Sequence, residues 1–236
     1  MTALERVSDG IWIAEGACVN FYGFAYPTRS VIVRLASGDL WIWSPIDLKP
    51  ELKAAIDDVG PVRYLVSPNK LHHLYLEQWC GAYPEARLFG PKSVIEKRAD
   101  LPFETPLDNG IPSDWGDEIG MVHFTGSPFL DEAVFFHHPS ATVIMADLSE
   151  NFSESFLQKH WSWWQRGIAR LWGIVEGRGY APLEWRLSFL KRAEARKARD
   201  TLLAWNPQRV IMAHGEWQRE NGRQYLERSL AWLGSG

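Results

Sequence analysis

Three short apolar runs in this 236-residue chain each lead into a side chain able to bind a metal or move a proton, and this limits the folds open to it. Val62–Val66 opens onto a loop carrying His72 and His73, residues 143–146 run directly into Asp147, and residues 210–213 into His214. Runs of four or five mostly aliphatic residues, bounded by turn formers, read as strands buried on both faces. In open α/β sheets the strand ends gather at one edge, where ligands and catalytic groups sit. Three imidazoles and a carboxylate meeting at such an edge form a nitrogen and oxygen donor set suited to zinc or iron.

The rest of the chain fits a layered α/β architecture. Residues 10–14 and 30–35 are β-branched or aromatic runs, and the turn Ser37-Gly38-Asp39 leads into a strand at Leu40–Trp43 that Ser44-Pro45 ends. A helix is expected from Pro50, with Leu52, Ala55, Ile56 and Val59 at helical spacing and Gly60-Pro61 as the stop. A second should follow His73, packing through Leu74, Leu76, Trp79 and Tyr83. Residues 101–120, rich in Pro, Asp and Gly, read as a long surface loop. Beyond residue 151 the pattern turns helical: Ser153 is a candidate cap, residues 183–204 form one long amphipathic helix, and residues 218–233 close the chain. The expected organisation is a single domain, residues 1–236, with a helical insert at about 151–204.

Charge and composition remove several function classes. The net charge is −4, and the basic residues are dispersed, so no nucleic-acid partner is expected. Cys18 and Cys80 are too few for a disulfide framework, which suits a reducing, cytoplasmic setting. The opening MTALERVSDG has acidic residues and no apolar stretch of a signal peptide, and no run is long enough to span a bilayer. Thirteen tryptophans remain to be explained, five of them at positions 161, 163, 164, 172 and 185. Helix packing is the first reading. An apolar substrate wall, or a membrane-facing or homodimer-forming patch, is the other.

With these residues in view, the chain resembles the metallo-β-lactamase superfamily and, within it, a bacterial family of unknown function at its margin. The resemblance runs from Ile11-Trp12 through Gly38-Asp39-Leu40-Trp41, the loop from Pro68 to His73 and Ala146-Asp147-Leu148 to Ala213-His214-Gly215. It implies an αβ/βα sandwich. The superfamily motif H-x-H-x-D-H, with its last histidine on His73, puts His72 at the aspartate position and Pro68 and Lys70 at the two leading histidines. Ser127 takes the place of a further motif histidine, and the strand end at Ser44-Pro45 lacks the superfamily's early aspartate. Neither Pro68 nor protonated Lys70 can donate a lone pair, so the resemblance implies a lost first metal position. It also implies a retained second one on His72, His73, Asp147 and His214, with Lys70 a candidate for replacing the missing charge.

The expected cofactor is one divalent ion, zinc before iron, and the expected activity is hydrolysis of a small-molecule substrate, with Asp147 and His214 at the reacting centre. Two alternatives share the same residues: a non-catalytic descendant that binds a small ligand or a protein, and a non-haem iron redox protein. Among weaker candidates, Glu132 reads equally as a general base or an exposed turn carboxylate. His137-His138 reads as a surface pair at a strand end, and His123 and His160 read as structural.

Overall fold

The computed structural model describes residues 3–234. The chain divides into two compact units: residues 1–17 with 28–119, and residues 18–27 with 120–236.

The first unit is built on a six-stranded sheet. Its strands are β1 (Glu5–Ser8), β2 (Ile11–Phe21), β3 (Phe24–Arg34), β4 (Leu40–Trp43), β5 (Val62–Val66) and β6 (Arg87–Phe89), in that spatial order. The tip of the β2–β3 hairpin, residues 18–27, belongs to the second unit. β4 runs antiparallel to β3 but parallel to β5, and β5 parallel to β6. Parallel neighbours need crossovers, and α1 (Pro50–Asp57) and α2 (Leu76–Ala82) supply them. Proline opens α1 as expected, and its Leu52 and Ile56 are buried with Ile42, Leu65, Leu76, Leu88 and α2's Trp79. Trp79 buries its indole because Nε1 donates to the Ile46 carbonyl at 2.6 Å. Leu74, by contrast, lies before the helix and is exposed. After α3 (Lys92–Lys97), the expected surface loop contains two short 3-10 turns that bury Leu107 and Trp115, so it is pinned rather than open.

The second unit holds β7 (Ile119–Phe124), β8 (Glu132–His137), β9 (Thr142–Met145), α4 (Glu154–His160), α5 (Trp163–Trp172), α6 (Leu183–Ser188), α7 (Ala193–Ala204), β10 (Arg209–Met212) and α8 (Gly222–Ser229). Its sheet has the order β10-β9-β8-β7, with β10 parallel to β9 and β8 antiparallel to β9. All of β9 is buried, as its unbroken apolar run predicts. α7 and α8 cover the sheet through Ala195, Leu202, Tyr225 and Leu226.

Ser153 caps α4, its hydroxyl accepting from Phe156 N. The single long helix expected over residues 183–204 is two helices. Between them Leu190 N and Lys191 N donate to the Gly126 carbonyl, a tertiary partner that interrupts the helical ladder. The closing helix is likewise shorter, Gly222–Ser229, followed by one 3-10 turn. Trp161 packs against Tyr26 and Phe152 and donates Nε1 to the Ala25 carbonyl at 2.9 Å, which fits the packing reading for that residue. Trp163 does not fit it, being exposed, and Trp164 fits it only in part, since it meets Phe24 edge-on but is half exposed. No helix among the described residues is long and apolar enough to cross a membrane.

His137 makes one structural prediction. It is buried, not at the surface as the sequence suggested; only His138 is exposed. His137 Nδ1 lies 2.7 Å from Ser140 Oγ, which donates to Thr142 Oγ1 at 2.8 Å, so the hydroxyl is free to accept and Nδ1 carries the proton. Burial, reinforced by the His138 charge, lowers the His137 pKa to about 4. In the unfolded chain histidine titrates near 6.5. The stabilisation is therefore complete above that pH and declines as pH falls towards 4, by at most roughly 3 kcal/mol. His137→Asn keeps a donor for Ser140 and should flatten this part of the profile. Urea melts of both proteins across this range check it, and parallel profiles would count against the assignment.

Candidate metal centre

The second unit brings Asp147 and His214 together at the ends of neighbouring parallel strands. β9 and β10 pair in register from Thr142↔Arg209 to Met145↔Met212, and two residues beyond the last pair stand Asp147 and His214. Both are buried, and His214 Nε2 lies 3.5 Å from Asp147 Oδ1. His214 Nδ1 lies 2.7 Å from the Pro27 carbonyl oxygen. A carbonyl can only accept, so Nδ1 is the donor and Nε2 is the nitrogen left to face Asp147. Metal-binding histidines are oriented in this way, with the distal N–H held by a carbonyl or carboxylate. The Tyr26 ring meets the imidazole edge-on at 5.1 Å and fixes its plane.

The turn after His214 needs Gly215. Its φ is +84°, and a Cβ there would run into the Asn151 peptide. Asn151 also clamps the turn: its carbonyl accepts from Glu216 N at 2.7 Å, and its Nδ2 donates to the Glu216 carbonyl at 2.8 Å. Gly215→Ala should cost about 2 kcal/mol from the backbone conformation and the close contact. Thermal melts read that loss, and a melting temperature equal to the parent's would show that the turn tolerates a side chain.

Asp147 is held through its backbone. Glu132, at the start of β8, is fully buried rather than an exposed turn carboxylate. Its Oε1 accepts from Ala146 N at 2.7 Å, and its Oε2 from Asp147 N at 2.8 Å and Leu148 N at 3.3 Å. Burial, then the Asp147 charge, pushes the Glu132 carboxyl up, while the three amides pull it down. A second acid, Glu150, lies on the same segment, buried, with the Tyr26 hydroxyl donating to its Oε2 at 3.3 Å. Burial, the Asp147 charge and the Glu184 charge keep its pKa well above the usual carboxylate range. Sequence reasoning missed Glu150: its only signal is its place three residues after Asp147.

In the first unit His72 and His73 lie in the turns before α2. The loop is stapled by Ser67, whose hydroxyl donates to the carbonyls of Asn69 and His72, each at 2.9 Å, and by Asn69 Oδ1, which accepts from Leu71 N at 2.8 Å. His72 Nδ1 is 2.8 Å from Ser44 Oγ, and its ring is tilted by 30° to that of Trp43, with centroids 6.1 Å apart. Ser44 has a left-handed backbone, φ 49°, immediately after β4. That strained serine at a strand end is a positioning group that the sequence marked only as a departure from the superfamily pattern. His73 differs from its neighbour. Burial lowers its pKa, as do the charges of Lys97 and Arg98, and its Nδ1 is buried with no hydrogen-bond partner among the described residues. A buried ring nitrogen left without a partner suits a ligand role.

Elsewhere, His123 pairs with Asp131 at 3.1 Å, and exposed His160 stacks on Phe156. Ser127 bonds Ser188 at 2.7 Å and accepts from Phe129 N and Leu130 N, a loop-closing role.

Residues 8–158 match the family described as Domain of unknown function (DUF4336). The chain belongs to this family. No curated protein matches it. Among solved structures it is similar to a metallo-β-lactamase from Erythrobacter litoralis, with TM-score 0.66 and 12% identity over 98% of this chain and 95% of that one. A metallo-β-lactamase from Hirschia baltica gives TM-score 0.62 and 13% identity over 98% and 96%. Rubredoxin oxygen:oxidoreductase from Desulfovibrio gigas gives TM-score 0.61 and 14% identity over 98% of this chain but only 60% of that longer one. This DUF4336 member therefore has the α/β fold of the metallo-β-lactamases, as its motifs suggested.

Proposed function

We propose that the protein is a metal-dependent hydrolase of a small molecule, with one divalent ion, zinc before iron, on His72, His73, Asp147 and His214. The observation that carries this reading is the His214–Asp147 pair, with its Pro27 carbonyl already holding the distal imidazole nitrogen. The donor set, imidazole and carboxylate without thiolate, fits zinc or iron. When bound, such an ion lowers the pKa of a coordinated water and polarises a carbonyl or phosphoryl oxygen.

The protein's own groups divide the remaining work. Ser44 sets the ring of His72, and the Pro27 carbonyl sets that of His214. Glu132 fixes the peptide that carries Asp147. Glu150, whose pKa burial and the Asp147 charge raise, accepts from the Tyr26 hydroxyl on the segment that carries Asp147.

The competing reading is a fold retained without chemistry, and Pro68 and Lys70 at the positions of two motif histidines favour it. Metal content separates the two. The hydrolase reading expects about one ion per chain and a higher melting temperature with zinc, since a ligand of the native state alone must stabilise it. Protein that stays metal-free in excess zinc and melts unchanged would support the other reading.

A further inference from the structure

The hairpin tip and α5 present an aromatic face that the core of the second unit does not use. The two-residue turn Tyr22-Gly23 joins β2 to β3, and both residues have positive φ, 49° and 88°. Such a hairpin turn favours Asn-Gly or Asp-Gly, and a bulky side chain at its first position is an outlier. Tyr22 meets Phe21 edge-on at 4.8 Å yet stays 89% exposed, so packing within the chain buries little of it.

The N-terminal end of α5 lies beside this tip. Gln165 Nε2 donates to the Gly23 carbonyl at 3.0 Å, and Phe24 meets Trp164 edge-on at 5.7 Å. Trp163 is 78% exposed there and Trp164 48%. Leu171, seven residues after Trp164 and so on the same side of the helix, is 74% exposed.

Charge identifies what covers this face. Residues 154–172 carry Lys159, Arg166 and Arg170 against Glu154 alone, a net +2 in a chain of net −4. Arg170 pairs with Glu154 at 2.7 Å, Arg166 keeps its charge while donating to the Trp161 carbonyl at 3.2 Å, and Lys159 acts electrostatically on Cys18 of the same hairpin. A second copy would bring the same positive segment against itself in a two-fold contact. An anionic lipid surface is complementary instead. Tyr and Trp settle at the headgroup boundary, and Lys and Arg add attraction to acidic lipids.

We propose that the hairpin tip and α5 seat the protein on an anionic bilayer surface, with Tyr22, Trp163 and Trp164 at headgroup depth. The test is flotation of the full chain with vesicles of phosphatidylcholine alone or mixed with phosphatidylglycerol, at low and high salt. The expected result is binding to the mixed vesicles at low salt, with a blue shift of tryptophan emission. Lys159→Glu should weaken it about fivefold or more. The double variant Tyr22→Asn, Trp163→Ser should weaken it at least about tenfold. That variant's melting temperature should be equal or higher, because asparagine suits the turn better than tyrosine. Equal binding by the variant, or no binding to mixed vesicles at low salt, overturns the proposal. So does a dimer in sedimentation that the same variant dissolves, which would assign the face to a second copy.

Discussion

His214→Ala is expected to lower metal affinity by more than about 100-fold, because loss of even an outer-shell partner of a metal ligand typically costs 10- to 100-fold. His214 stands one residue after a buried strand run, with Nδ1 committed to Pro27 and Nε2 facing Asp147. The alanine variant also loses a ring packed on Tyr26. His214→Asn is the sharper variant: its amide can still donate to the Pro27 carbonyl while offering no nitrogen lone pair. It should melt near the metal-free parent and lose metal affinity as the alanine variant does. Competition with a chromogenic chelator measures the affinity, and a variant that keeps parental affinity would remove His214 from the ligand set.

The second large effect falls on Glu132. Its two oxygens accept three backbone N–H groups, from Ala146, Asp147 and Leu148, inside the fully buried start of β8. Glu132→Ala strands all three donors, at about 1–3 kcal/mol for a buried donor left unmade, and should cost about 4 kcal/mol in total. Glu132→Gln retains one acceptor oxygen but turns an NH2 group towards a backbone donor, so it should fall between alanine and the parent. Because the freed amides include that of Asp147, metal affinity should drop as well, by about 10- to 100-fold, as for other groups that orient a ligand. Urea melts and metal titrations on the same samples read the two effects. Loss of stability with unchanged affinity would make Glu132 a purely structural residue.

The contrast between these two residues shows what the sequence could and could not disclose. His214 and Asp147 were legible because each ends an apolar run, and such runs give β9 and β10 their burial; their parallel register then aligns the two side chains. Glu132 was not, since a carboxylate between Asp131 and Ala133 reads as a turn, and its partners lie 14 to 16 residues on. Glu150 and Ser44 were hidden for the same reason: burial in one case, and backbone strain in the other, arise only from tertiary packing. Helical periodicity over residues 183–204 was real, but it lost to the Gly126 carbonyl, which takes the backbone N–H groups of Leu190 and Lys191. The tryptophans split along the same line, with Trp161 buried and bonded and Trp163 facing out.

Anomalous scattering from a crystal of the purified protein, recorded across the zinc and iron edges, is the most direct check on the proposed centre. One peak bound by His214 Nε2, Asp147 and the two histidines before α2, at the zinc edge first, is the predicted result. A crystal grown in excess zinc with no peak at these residues would contradict it.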